Sequence, residues 1–273
     1  GCVVGEPGPM RVTRSFLVLL FVSLCSPFVL WMLGCRFAVM VVVVSVNMGV
    51  LWVNNVVGAR ERNSRSKMVL NTVSASHYSE KVRWCMDLLG ESYEEVPDVG
   101  VLGVFLLGRT VPTLSDSRLD LQIGNSSTIL RYLYGEYGHQ DSGAFLKPEA
   151  KLLELEKKFD LIGRSVQRAL YYHVFPNKDI TCVLWGETVD AVPRIQRILL
   201  SLLFPIFRIF ITKALNITKQ SAEQELQNIE DLLEEMDELL SDGRQYINGS
   251  SLSFIDITFC SLIAPLCQPA IHE

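Results

Sequence analysis

Residues 67–98, KMVLNTVSASHYSEKVRWCMDLLGESYEEVPD, carry the reading that decides the fold. The run 67–73 (KMVLNTV) is short, apolar and bounded by polar residues, so it reads as a strand. Val82, Cys85, Met86 and Leu89 then recur at i, i+3, i+4 and i+7, which predicts an amphipathic helix over 79–89 stopped by Gly90. Residues 92–98 (SYEEVPD) read as a second strand. Strand, helix and strand in about 30 residues predict a parallel βαβ unit.

On the C-terminal side, residues 100–107 are apolar but without clear period and are expected to form a poor helix. Residues 111–114, a turn at 115–117 and residues 119–123 together predict an antiparallel hairpin, and 126–137 a closing helix. From Lys147 onward only helical stripes occur. The first runs through Leu152, Leu155, Phe159, Ile162, Val166 and Leu170. A second helix, over 191–214, is expected to kink at Pro205. Its arginines 194, 197 and 208 make it too charged to span a bilayer. A third carries Ala222, Leu226, Ile229, Leu233, Met236 and Leu240, and Ser253 with Asp256 has the spacing of a capping box opening a fourth. All these stripes are read as core packing, and Asp256 as structural.

The chain has 273 residues, 49% of them hydrophobic, and its mean hydropathy of +0.25 is high because of its front. Segments 15–35 and 37–59 carry no charge, and each is long enough to cross a bilayer as a helix. Arg11 and Arg14 precede the pair, and Arg60, Arg62, Arg65 and Lys67 follow it. Basic flanks on both sides predict a membrane hairpin turning near Gly34–Arg36 with both ends cytosolic. The alternative is a cleaved signal or organelle-targeting element followed by a single anchor. Gly1 stands where an initiator Met would, so a longer leader is expected. Residues 1–67 hold seven basic residues against Glu6 and Glu61; with −5 overall, the remainder carries −10. An acidic body without a basic stripe argues against nucleic acid as partner. The seven cysteines are scattered with no CxxC, which reads as reduced thiols, and the four histidines show no metal-ligand spacing, so no metal is expected.

Four further stretches lie in order along the body. Residues 76–84 (SHYSEKVRW) join a loop to the first helix, and 108–114 (GRTVPTL) place Pro112 at the start of a strand. Residues 125–133 (NSSTILRYL) open the closing helix, and 243–249 (GRQYING) precede 253–259 (SFIDITF). Together these resemble the glutathione-transferase family across residues 67–265. The resemblance implies an α/β thioredoxin-like domain over 67–140 and an all-helical C-terminal domain over 147–273. Residues 1–66 then form the membrane anchor or targeting region with its transmembrane helices. It also implies at least one further helix beyond Glu273, and an isologous homodimer.

For the site, the resemblance implies glutathione as co-substrate, with Ser76 as the catalytic hydroxyl at a helix N-terminus, where N–H groups favour a thiolate. Val111, ahead of a cis Pro112, offers its backbone to the peptide-like middle of glutathione. Asn125 and Ser126 hold the γ-glutamyl end on the next helix N-terminus. Tyr78 is a rival hydroxyl of second rank. His77 is read as an exposed loop residue, and Lys81 and Arg83 as solvated charges. Two departures matter. Asn125 is shorter than the acidic or Gln residue usual there, and Ser76 and Ser79 stand where a redox pair would need Cys, so no disulfide exchange runs through this loop.

The functional expectation is a membrane-tethered enzyme of the glutathione-transferase type acting on an apolar electrophile bound against helices 148–175 and 191–214. The alternative is a non-catalytic adaptor of the same fold binding a protein at an organelle membrane. A glutathione-dependent isomerase or peroxidase is a third, minor reading. Sequons stand at Asn125, Asn216 and Asn248. A glycan on Asn125 would block the glutathione site, so the body is expected to face the cytosol or the interior of a plastid or mitochondrion.

Overall fold

The computed structural model describes residues 66–99 and 111–267, together with Val39, residues 43–46 and Gly49. Gly1–Asn63 and Ser64–Glu273 form two separate compact units. In the first, Val39, residues 43–46 and Gly49 are helical. The rest of the two long apolar segments lies outside the described residues, as do stretch 100–107, Arg109 and the end of the chain. Among the described residues no single helix is long and apolar enough to cross a membrane.

The second unit opens with strand β1 (Met68–Thr72), all five residues of which are buried. It is flanked on both sides in a four-stranded sheet of order β2-β1-β3-β4, so both its edges are paired, and its near-continuous apolar run suits that central place. Helix α1 (His77–Leu89) crosses to β2 (Glu94–Pro97), which runs parallel to β1 with Val69 opposite Glu94. Gly90 ends α1 at φ 71, a left-handed cap that glycine adopts without Cβ strain. Strands β3 (Thr113–Asp116) and β4 (Leu121–Gly124) form the antiparallel hairpin. Its turn lies at 117–120, later than the expected 115–117. The buried Asp116 carboxylate explains the shift: it accepts from the Arg118 N–H at 2.9 Å and from the Tyr132 hydroxyl at 2.6 Å, fixing the chain beyond it. Arg118 and those bonds hold its pKa down to about 2.

Helix α2 (Ser126–Tyr137) buries Ile129, Leu130 and Leu133 against the sheet. A 3₁₀ turn, Asp141–Leu146, leads to α3 (Ala150–Val174), followed by the short α4 (Lys178–Leu184) and α5 (Arg194–Ala214). The 3₁₀ turn and α4 are absent from the sequence reading because each is too short to show a period. Helix α5 runs through Pro205 as one helix. Helices α6 (Lys219–Leu240) and α7 (Phe254–Cys267) complete the unit. One core joins the sheet, α1 and α2 to α3, α6 and α7; a smaller one gathers Phe175, Trp185, Leu200, Phe204 and Phe207 around α4 and α5.

One of the expected stripes turns out differently. On α6 the buried line is Ala222, Glu225, Ile229, Leu232 and Met236, while Leu226, Leu233 and Leu240 lie at the surface. Glu225 is buried because Ser165 and Arg168 of α3 and Asn228 donate to it. Gly163 is fixed by packing, since a Cβ there would meet the Tyr78 hydroxyl at 2.8 Å and Leu262 at 3.0 Å.

Helix α7 is held at its start by Asp256, which accepts from Ser253 N–H at 2.9 Å, Ser253 Oγ at 2.8 Å and Ile247 N–H at 2.7 Å. Only the carboxylate half of the expected capping box forms, since the Ser253 hydroxyl donates to Asp256 instead of accepting from its N–H, and the same carboxylate ties in the loop before the helix. Asp256→Ala leaves three buried donors without their acceptor and is expected to lower stability by about 3 kcal/mol. Denaturant unfolding of the variant against the parent checks this, and a loss under about 1 kcal/mol would contradict it.

Candidate functional site

Strand register brings three chain segments to one end of the sheet. Asn71, near the end of β1, lies opposite Thr113 at the start of β3, and Thr113 lies opposite Gly124 at the end of β4. The residues just beyond these ends are Ser76 after β1, Val111 and Pro112 before β3, and Asn125 and Ser126 after β4. All five residues singled out in the sequence therefore gather at this edge. The Val111–Pro112 peptide bond is cis.

Ser76 is the N-cap of α1. Its Oγ accepts from the Ser79 N–H at 3.2 Å, and its O–H has no acceptor among the described residues, so the hydroxyl proton is available to an outside anion. Asn125, at φ 72, is the N-cap of α2, and its Oδ1 accepts from the Ser127 N–H at 2.9 Å and the Thr128 N–H at 3.4 Å. Asn tolerates that left-handed φ better than most residues. Ser126 is the first residue of α2 and is buried. Two helix N-termini, each a positive dipole end capped by its own side chain, thus open at the same edge.

Behind them lies a charge network that the sequence reading placed in solvent. Lys81 is fully buried, with Nζ 2.8 Å from Glu156 Oε1, 2.9 Å from Ser127 Oγ and 3.4 Å from Asp160 Oδ1. Ser127 Oγ in turn donates to Asp160 Oδ2 at 2.9 Å. Arg131 lies 3.7 Å from Glu156 and sits 4.3 Å over the Phe254 ring. The correction has a simple cause: Lys81 is one turn before Cys85, and Glu156 one turn after Leu152, so both fall on the inward faces of their helices. The helical period therefore contained the signal, and the residue type hid it. Arg83 is likewise half-withdrawn, bound to Glu80 at 2.9 Å and to Glu95 at 2.7 Å.

His77 is also corrected. It is buried at the first position of α1, with Nε2 unpartnered among the described residues, and burial pushes its pKa down to about 4 against a hydrogen bond to the Gly163 backbone. Tyr78 donates its hydroxyl to the Asp160 carbonyl at 3.1 Å, and burial and the Asp160 charge raise its pKa to about 12. It is committed to α3. Burial raises the Cys85 thiol to about 12 as well, so that thiol is inert at neutral pH.

The sheet order and the helices that follow define the class: a thioredoxin-like sheet leading into an all-helical domain. No protein-family profile matches the chain, and no curated protein matches it. Solved structures do. A theta class glutathione S-transferase from the citrus canker pathogen Xanthomonas axonopodis pv. citri, with glutathione bound, is 18% identical over 76% of this chain and 85% of that one, with a TM-score of 0.41. A glutathione transferase from Pseudomonas putida, with one glutathione disulfide bound per subunit, is 15% identical over 77% and 80%, with a TM-score of 0.49. Ure2p5 from Phanerochaete chrysosporium, cocrystallized with 1-(S-glutathionyl)-2,4-dinitrobenzene, is 18% identical over 77% and 80%, with a TM-score of 0.46.

Two predictions rest on the groups behind the site. Lys81→Met leaves the two α3 carboxylates without their buried cation and is expected to cost about 3–5 kcal/mol, most of it recovered by adding Glu156→Leu and Asp160→Asn. Denaturant unfolding measures both, and additive effects of the three substitutions would contradict the coupling. For His77 the folded pKa is below the unfolded one, so the unfolded chain binds more protons between pH 6.5 and about 4. Stability should therefore fall with acidification through that window, by up to about 1.4 kcal/mol per pH unit. In His77→Gln the slope should flatten; an unchanged pH profile would contradict the burial of the neutral ring.

Proposed function

We propose that the chain is an enzyme of the glutathione-transferase type, with glutathione as co-substrate at the sheet edge. The observation that carries the reading is the opening of two capped helix N-termini at that edge, with Val111 and Pro112 between them. Glutathione has a thiol and two carboxylates, which is the ligand chemistry such termini favour. Ser76 would donate its hydroxyl hydrogen bond to the thiolate. Lowering a thiol pKa by two units from about 8.5 takes about 2.7 kcal/mol, within reach of one charge-assisted bond and a helix terminus. Val111 would position the peptide-like middle, and Asn125 and Ser126 the γ-glutamyl end. The thiolate would attack an apolar electrophile lying against α3 and α5, with no metal required.

The reading extends to the front of the chain, where segments 15–35 and 37–59 would tether the body to a membrane facing the cytosol or an organelle interior. A homodimer fits the same reading.

One observation favours the adaptor alternative. The Asn125 amide already occupies the Ser127 and Thr128 N–H groups that a γ-glutamyl carboxylate would seek. Calorimetry on the full chain separates the two. The enzyme reading predicts a glutathione Kd between micromolar and millimolar, about −8 to −4 kcal/mol. It also predicts affinity weakened by Ser126→Ala, and turnover of a general electrophile abolished by Ser76→Ala, with folding retained in both. A folded protein that binds no glutathione at millimolar concentration would overturn the enzyme reading in favour of the adaptor.

A further inference from the structure

Helix α5 has a second apolar face that is exposed. Its inward side, Leu200, Phe204, Phe207 and Ile211, is buried in the smaller core. Ile198, Leu202, Ile206 and Ile209 follow at spacings of four, four and three and form one outward stripe, 46%, 69%, 62% and 59% exposed. This stripe is apolar along three turns of helix, and Pro205 lies among its residues at the surface. The sequence reading assigned the whole helix to core packing, and the structure assigns half of it to solvent.

Charge decides what covers the stripe. Residues 194–214 contain Arg194, Arg197, Arg208 and Lys213 and no Asp or Glu. Among the described residues Arg194, Arg208 and Lys213 are exposed and in no ion pair, and Arg197 pairs with Asp190 at 3.9 Å and donates to the Glu187 carbonyl at 3.5 Å. These cations stand on a body that is otherwise strongly acidic. On the helical wheel Arg194, Arg197 and Arg208 fall along one border of the apolar stripe, and Lys213 follows at its C-terminal end. An apolar stripe bordered by cations, three of them in no ion pair among the described residues, is the pattern of a helix lying in the headgroup region of an anionic bilayer.

We infer that α5 docks on the surface of an anionic phospholipid bilayer, the stripe entering the acyl boundary and the cations meeting lipid phosphates and carboxylates. The other candidate occupants do not supply the missing charge. A second copy paired isologously through this face would set the same cations against each other. Segments 15–35 and 37–59 of the chain carry no acid at all. The inference stands on α5 alone and does not depend on glutathione binding or on the front segments as a tether. It makes the body itself a peripheral membrane element, its helical half set against the lipid.

The test uses the full chain in vesicles of phosphatidylcholine with phosphatidylserine, some of the lipid brominated along its acyl chains. Leu202→Trp adds emission that should be quenched about twofold or more, as expected for a side chain some 5–10 Å into the boundary. Glu234→Trp, on the exposed side of α6, should add emission that is not quenched. Quenching at position 202 should fade as salt is raised, and in neutral phosphatidylcholine vesicles it should fall at least about tenfold. Adding the exposed changes Arg194→Glu and Arg208→Glu should abolish it, with the far-ultraviolet spectrum unchanged. Three results would overturn the inference: no quenching in anionic vesicles, equal quenching in neutral ones, or a doubled mass that shields the position from lipid and water alike.

Discussion

The ammonium of Lys81 is fully buried, and a buried charge persists only where opposite charge and hydrogen bonds enclose it. Its three partners come from two other helices: Ser127 from α2, and Glu156 and Asp160 from α3. Satisfying that one group therefore fixes α1, α2 and α3 against one another. Because Ser127 is the second residue of α2 and Tyr78 the second of α1, both bound to Asp160, the same network sets the two helix N-termini in place. The sheet edge where a ligand would sit is thus positioned by an ion cluster one layer behind it. At that edge the dipoles of two helices supply a positive potential.

Much of this was legible in the sequence and some was not, for definite reasons. The βαβ unit and the helical stripes could be read because Val82, Cys85, Met86 and Leu89, and likewise Leu152, Phe159, Ile162 and Val166, repeat at helical spacing and bury the same face in the structure. Ser76 and Asn125 could be found because capping residues stand where a polar turn meets a periodic run. Lys81, Glu156 and Glu225 were not found because an isolated charge on an apolar face reads as solvated until its partner, 75 residues away for Lys81 and Glu156, is known. His77 failed for the same reason, its burial being set by α3 and not by its neighbours in sequence. The late hairpin turn depended on the side chain of Asp116, which no period encodes.

The same physics gives α5 its double character. A helix whose two faces are both apolar reads from sequence as a core element, and only the structure shows that one face is buried and the other exposed. The α6 helix beside it in the chain carries an acidic surface and keeps its exposed leucines apart from any cationic border. Residue charge, more than hydrophobicity, distinguishes the two surfaces.

The central claim is that the sheet edge stabilises the thiolate of glutathione through Ser76 and the α1 N-terminus. Ultraviolet difference spectroscopy of bound glutathione against pH measures that thiolate directly. A thiol pKa about two units below the free value of roughly 8.5, returning toward it in Ser76→Ala, is the predicted result. Bound glutathione that titrates as it does in water, with or without Ser76, would contradict the account.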